Sequence, residues 1–377
     1  MPSASIRLLL VGAGHAHLEV LRRFVLERPD RLDVTVVSPE PRHFYSGMTP
    51  GYLGGQYTVE DLTSDVPAIA ARAGAECVLG YAARIQPGER LVVMDDGRRL
   101  TYDLLSLNIG SLLVGADTDA ARLAERLKPL HHAARLKQRL DTLALAPGDA
   151  PARVVVIGAG AAGVEVACAA AAVMDRAGRA REITLLERGE RIPAGYGKRF
   201  QRRAARALDA LGVRRRLGVA ARCVREDSVE LDDGTKVPSD LAVWLTGPVG
   251  APLLAESGLP TDPRGFLWTD DTLRSIADPR VFAVGDCGTP ASHPTLAKSG
   301  VYAVREAPIL WGNLLAAARG DALAQFRPQA DFLSILNTGD GRALLRYKGL
   351  VTWSRWAWWL KDRIDRRFMR RYQRLAP

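Results

Sequence analysis

Three features of the sequence predict an α/β fold in which one parallel-sheet plan is used twice. The run Leu8-Leu9-Leu10-Val11 ends in Gly12-Ala13-Gly14-His15-Ala16-His17, and Val154-Val155-Val156-Ile157 ends in Gly158-Ala159-Gly160-Ala161-Ala162-Gly163. Each glycine turn opens into an Ala- and Leu-rich helical pattern. Each pattern then leads to a second strand, Val34-Thr35-Val36-Val37 or Ile183-Thr184-Leu185-Leu186. Strand, glycine turn, helix and strand in that order make a Rossmann-like unit. The glycines allow a tight turn and close backbone approach, and the free N–H groups of the helix start hold a pyrophosphate. One such turn is a weak signal, but two in one chain imply two dinucleotides and electron transfer between them.

The remaining elements follow in order. The first unit runs from about Ile6 to Glu40. A meander comes next, with strands expected around Cys77 to Ile85 and Arg90 to Met94 and a turn at Asp96-Gly97. It closes on Tyr102-Asp103-Leu104-Leu105-Ser106-Leu107-Asn108-Ile109-Gly110-Ser111. A helix over Leu130 to Leu143 leads through Ala146-Pro147-Gly148-Asp149 into the second unit. That unit repeats the plan through a turn at Asp233-Gly234 to Asp240-Leu241-Ala242-Val243-Trp244-Leu245-Thr246-Gly247. The chain then reaches Val281-Phe282-Ala283-Val284-Gly285-Asp286-Cys287 and a helix from about Ser299 to Arg319. A hairpin from Leu333 to Tyr347, turning at Asp340-Gly341, and an amphipathic helix end it.

With 377 residues and 47% apolar content, the chain has room for two or three compact units. It contains no uninterrupted apolar run long enough to span a bilayer, and the residues before Leu8 lack the apolar core of an export signal. Cys77, Cys168, Cys223 and Cys287 are widely spaced, with no metal-ligand or redox-pair pattern, so neither disulfides nor a metal site is expected and a cytoplasmic setting fits. The net charge is +10, and eleven Arg and Lys against Asp362 and Asp365 lie from Arg342 onward. The basic character therefore belongs to the tail, which argues against global nucleic-acid binding.

These pieces in this order resemble the pyridine nucleotide-disulfide oxidoreductase superfamily, the flavoproteins with two dinucleotide-binding domains. Val284-Gly285-Asp286 matches its second flavin motif, and Asn108-Ile109-Gly110-Ser111 and Leu245-Thr246-Gly247 match its two domain-crossing segments. Within it the chain looks most like the type II NADH dehydrogenase and sulfide:quinone reductase branch. The Gly-His-Ala-His turn, Tyr45-Ser46-Gly47-Met48-Thr49-Pro50-Gly51 and Lys361 to Arg371 resemble more narrowly the flavoprotein portion fused to selenide, water dikinase, although no kinase domain follows here. The resemblance implies FAD on the first unit and NAD(P)H on the second. It places residues 1–115 and 251–328 in a discontinuous FAD domain, residues 116–250 in an inserted NAD(P)H domain and residues 329–377 in a basic C-terminal segment.

The candidate cofactor-binding residues are then Gly12, Gly14, Gly110, Gly285 and Asp286 for FAD, and Gly158, Gly160, Gly163 and Gly247 for NAD(P)H. Glu187 ends a strand where a carboxylate can accept the adenosine ribose hydroxyls, which favours NADH over NADPH, although Arg188 stands beside it. In the first unit that strand end is Ser38, with Glu40 two residues on as the candidate acid or as a solvated turn residue. Glu165 lies on a helix otherwise rich in Ala and Val, where relatives approach the nicotinamide; its alternative is a helix-start glutamate favoured by the dipole. His17 replaces the third glycine, so the helix either sits further out or turns that side chain into the cleft. His15 and His17 together suggest proton handling near the flavin, against a structural role for each. In related reductases a lysine at the position of Lys298 lies by the isoalloxazine, where its charge stabilises the anionic reduced flavin. The dispersed cysteines argue against disulfide reduction and sulfide oxidation.

In the tail, Trp353, Trp356, Leu360, Ile364 and Phe368 recur at three- and four-residue steps, with Trp358 and Trp359 beside them. Aromatic and cationic residues around an apolar stripe suit an anionic bilayer surface; a helix packed on the body is the alternative. The expectation is an FAD-dependent NADH oxidoreductase, peripheral on the cytoplasmic face of a membrane, passing electrons to a quinone, with a homodimer allowed. A reductase of selenium or sulfur metabolism and a non-enzymatic flavin-bearing interaction protein are the alternatives.

Overall fold

The computed structural model describes residues 5–376. Its frame is two five-stranded, wholly parallel sheets of the same order. In the first, Ile6–Val11 is central, with Leu32–Ser38 and then Glu76–Leu79 on one side and Leu104–Leu107 and then Val281–Ala283 on the other. The second has Ala152–Ile157 at its centre, Arg181–Glu187 and Val213–Leu217 on one side and Leu241–Trp244 and Glu125–Arg126 on the other. The central strands are apolar on both faces because both are covered, one by helices and the other by an antiparallel meander. One difference separates the copies. The outermost strand of the first sheet comes from late in the chain, and that of the second comes from just before it.

Each sheet carries a three-stranded antiparallel meander, residues 82–101 on the first and 221–238 on the second. The chain leaves the first half through Leu112–Leu113 and returns through Pro248–Val249, and these two segments pair antiparallel. The helix Gly300–Arg319 packs on the first nucleotide helix, His15–Glu27, where Phe24 and Trp311 meet edge to face at 4.9 Å. The helix expected over Leu130 to Leu143 spans His132–Leu145.

The C-terminal segment departs from expectation in two ways. The hairpin gains a third strand, Leu350–Ser354, so Trp353 lies on a sheet and not on the helix. The helix Arg355–Gln373 buries Ala357, Lys361, Asp365, Met369 and Tyr372, and the expected single apolar face is split, with Phe368 packed on Tyr45 while Trp356 and Ile364 lie on the other side. Its inner face is held by polar contacts. Lys361 Nζ donates to Asp365 and to the Gly47 carbonyl, each at 2.8 Å, Tyr45 donates to Asp365 at 3.1 Å and Tyr57 to Asp362 at 2.9 Å. A buried ion pair is tolerated because hydrogen bonds satisfy both partners. Trp356, Trp359 and Ile364 are left facing outward.

Candidate active site between the two glycine turns

Both glycine turns line one cavity of about 1730 Å³, well above the roughly 300–1,000 Å³ of a single-ligand pocket. Gly12, Gly14 and Glu40 face it from the first half, and Gly158, Gly160, Glu165 and Glu187 from the second.

The first turn is built around Asn108. Gly12 has φ +86°, and a Cβ there would lie 2.6 Å from the Asn108 carbonyl oxygen. The Asn108 side chain accepts from the amides of Ala16 and His17 at 3.1 and 3.3 Å and donates to the Val284 carbonyl at 3.0 Å. It thereby ties the helix start to the segment before Gly285. His17 does not turn into the cleft. Its ring is fully buried beneath the turn, with Nδ1 2.5 Å from the Gly12 carbonyl and Nε2 2.8 Å from Ser106 Oγ. Burial pulls it down to about 4, so it is neutral, and with both nitrogens engaged it braces the turn. The geometry removes His17 from proton handling at the cavity.

The second turn is conventional. A Cβ on Gly163 would collide with the Gly158 carbonyl, so glycine is needed for the helix to pack on its own turn, while Gly160 meets nothing and leaves its side of the cavity open. Glu187 accepts from the Ala159 amide at 2.8 Å and the Gly189 amide at 2.9 Å. Its carboxylate therefore shapes the turn as well as facing the cavity. Glu40 stands at the rim of the same cavity, its carbonyl accepting from Ser38 Oγ at 2.7 Å.

At the second flavin motif, Gly285 has φ +69°, and its amide donates to Glu306 at 2.5 Å. Asp286 meets Ser111 and Lys128 at 2.8 Å each. Lys298 is on the cavity wall, but its ammonium donates to the Gly288 carbonyl at 2.5 Å and to Thr289 Oγ1 at 2.7 Å, over the Phe266 ring. Burial lowers it to about 8. The cation predicted for the isoalloxazine is thus committed to the protein. Gly110 and Gly247 also line the cavity. Cys287 points its thiol at the Leu107 and Val284 carbonyls and is pushed up to about 11 by burial, and all four cysteines are free.

Between the halves, His15 meets His43 and Tyr45 edge-on at 5.0 and 5.4 Å, and Phe368 stacks on Tyr45 at 4.7 Å. Burial pulls His15 down to about 4 and His43 well below its ordinary value. Glu165 reaches the cavity from its helix, accepts from the Asn337 amide at 2.7 Å and is raised to about 7 by burial, with Lys361 opposing. His15 and Glu165 therefore line one cavity from opposite halves.

The sequence profile of the pyridine nucleotide-disulphide oxidoreductase family matches residues 6–307. The chain belongs to that family. This oxidoreductase is 29% identical over 301 residues to an NADH dehydrogenase-like protein of Mycobacterium tuberculosis, which covers 74% of this chain and 72% of the relative. It is 28% identical over 220 residues to the demethylphylloquinone reductase NdbB of Synechocystis, covering 56% of this chain and 53% of that one. The fold of the family member is shared with the sulfide:quinone oxidoreductase of Aquifex aeolicus, at TM-score 0.83, 17% identity and coverage of 99% and 93%. It is shared too with NDH2 from Plasmodium falciparum in complex with NADH, at TM-score 0.78, 14% identity and coverage of 99% of both chains. The expected architecture and the flavin-dependent NAD(P)H oxidoreductase activity stand on these likenesses. Three residues of this oxidoreductase's cavity region escaped the sequence reading. Lys128 and His43 carried no motif, and Glu306 lies in the interior of an otherwise ordinary helix.

Proposed function

We propose that this chain oxidises NADH through a bound FAD and delivers the electrons to a quinone at a membrane surface. The observation that carries the reading is the single cavity that receives both glycine turns, so two dinucleotides held by them meet end to end inside it. When bound, the flavin supplies the two-electron relay between donor and acceptor. The chain supplies position. Gly12, Gly14 and the His15 amide, the one in the first three helix positions that Asn108 does not take, hold one pyrophosphate, and Gly158, Gly160 and Gly163 hold the other. Glu187 and Glu40 accept ribose hydroxyls, and the carboxylate at Glu187 disfavours a 2′-phosphate, hence NADH. Glu165, neutral or charged near physiological pH, faces the nicotinamide end, and neutral His15 faces the flavin.

No helix among the described residues is long and apolar enough to cross a membrane. The outward face of the last helix supports contact with the cytoplasmic leaflet instead. Trp356, Trp359 and Ile364 are 49%, 60% and 41% exposed, Arg363 lies over the Trp359 ring, and Arg367, Arg370 and Arg371 continue the face. Exposed tryptophans beside arginines match the headgroup zone of an anionic bilayer.

Anaerobic mixing with NADH should bleach the flavin absorbance, and a short-chain quinone should restore it. Absence of bleaching sinks the donor assignment, and reoxidation only by selenium or sulfur compounds sinks the quinone. Trp356→Ala/Trp359→Ala should lose co-sedimentation with phosphatidylglycerol vesicles by about tenfold while still reducing its flavin with NADH. Retained sedimentation overturns the membrane face, and a concentration-dependent sedimentation coefficient would assign that face to a second copy, the homodimer the sequence allows.

A further inference from the structure

We infer that Lys128 is a positioning residue through which the second half of the chain completes the flavin site, by holding Asp286 as a carboxylate. The inference rests on the flavin reading above. Lys128 lies two residues beyond Glu125–Arg126, the edge strand of the second sheet, yet its ammonium reaches into the motif that follows the last strand of the first. Nζ donates to Ser111 Oγ at 2.5 Å and to Asp286 Oδ2 at 2.8 Å, and Ser111 Oγ donates to the same Oδ2 at 2.8 Å. All three residues line the cavity, and the Asp286 side chain is only 16% exposed.

Four titratable groups face Asp286 from the elements around it. Lys128 comes from the linker, Lys298 from the loop before Gly300, Glu306 from the helix behind and His15 from the first helix start. His15 is neutral, and Glu306 is a like charge when ionised. Lys298 spends its donors on Gly288 and Thr289. Lys128 is therefore the cation in direct contact. Burial pushes Asp286 up, and the Lys128 charge and hydrogen bond, Ser111 and Lys298 outweigh it, holding the carboxyl below its ordinary range. Without Lys128, burial would dominate. A protonated carboxyl offers a hydroxyl only neutral hydrogen bonds, whereas a carboxylate accepts at both oxygens with the extra strength of its charge, which a polyol hydroxyl can use. Oδ1 is the oxygen left over by the Lys128 and Ser111 contacts.

The test is titration of FAD into flavin-stripped full-length protein, followed by flavin fluorescence between about pH 6 and pH 9. Wild-type affinity gives the reference curve, which already carries the titration of Lys298 and Glu306, and each variant is read against it at the same pH. Lys128→Met should bind at least about tenfold more weakly at the acid end and recover toward the alkaline end, as Asp286 ionises unaided. Lys128→Arg should stay within about threefold of wild type, since a guanidinium keeps the charge and the donors. Asp286→Asn should bind weakly at every pH, and adding Lys128→Met to it should cost nothing further. Unchanged FAD affinity in Lys128→Met, a loss without pH dependence, or a loss additive with Asp286→Asn would each overturn the inference. A wild-type protein that takes up no FAD would overturn the flavin reading itself, which separates the two failures.

Discussion

Replacing Glu306 by Gln isolates the cost of one buried carboxyl. The side chain belongs to a residue 3% exposed, it accepts from the Gly285 amide at 2.5 Å, and burial raises it from an ordinary 4.5 to about 7, with that amide and Lys298 opposing. In the unfolded chain the group ionises near its ordinary value. The folded protein therefore holds the proton longer, and its stability falls as pH rises from about 4.5 to about 7, then stays low. The displacement corresponds to about 3 kcal/mol at most when the group is fully ionised. Glutamine keeps an acceptor for Gly285 and carries no charge, though its amide N–H₂ has to find partners. That second cost does not vary with pH. The difference in unfolding free energy between Glu306→Gln and wild type should thus move in the variant's favour by about 2–3 kcal/mol between roughly pH 5 and pH 8. Urea titrations of the flavin-loaded proteins, followed by tryptophan fluorescence at several pH values, read it directly. A difference that stays constant with pH would refute the reasoning, because it would mean the carboxyl ionises alike in both states.

Two further outcomes follow from the turns. His17→Ala removes both braces beneath the first turn and leaves a hole and an unpaired Gly12 carbonyl, so the urea midpoint should fall by the equivalent of about 2–4 kcal/mol; a shift under about 0.5 kcal/mol would mean the ring carries no load there. Gly163→Ala forces the second helix off the Gly158 carbonyl, so NADH affinity measured by calorimetry should drop at least about tenfold while flavin content is kept. Equal NADH affinity would show that the turn tolerates the methyl group.

The parts of this molecule that were legible in its sequence are those where backbone geometry restricts residue type. A close helix-to-turn approach admits little besides glycine, so Gly158 and Gly163 advertise themselves, and fully buried parallel strands advertise themselves as unbroken apolar runs. Direction is another matter. The sequence placed a histidine at position 17 but could not say that its ring goes beneath the turn to Ser106, a residue 89 positions away. Lys128 and Asp286 are separated by 158 residues, so their pairing leaves no local pattern. The inner face of the last helix was illegible for a related reason. Lys361 and Asp365, four residues apart, look like a surface pair, yet they are buried because Tyr45 and the Gly47 carbonyl complete their hydrogen bonds. With the polar stripe turned inward, Trp356 and Trp359 face outward, while Trp358 packs against Tyr57. Lys298 lines the cavity, and its acceptors at Gly288 and Thr289 left no pattern around it in the sequence.

The late arrival of Val281–Ala283 in the first sheet sets the order of assembly during synthesis. When the ribosome has made residue 244, every strand of the second sheet is already in the nascent chain, while the first sheet still lacks an edge. The half begun first is the half finished last, and Leu104–Leu107 keeps an unpaired side until the intervening sequence has been translated.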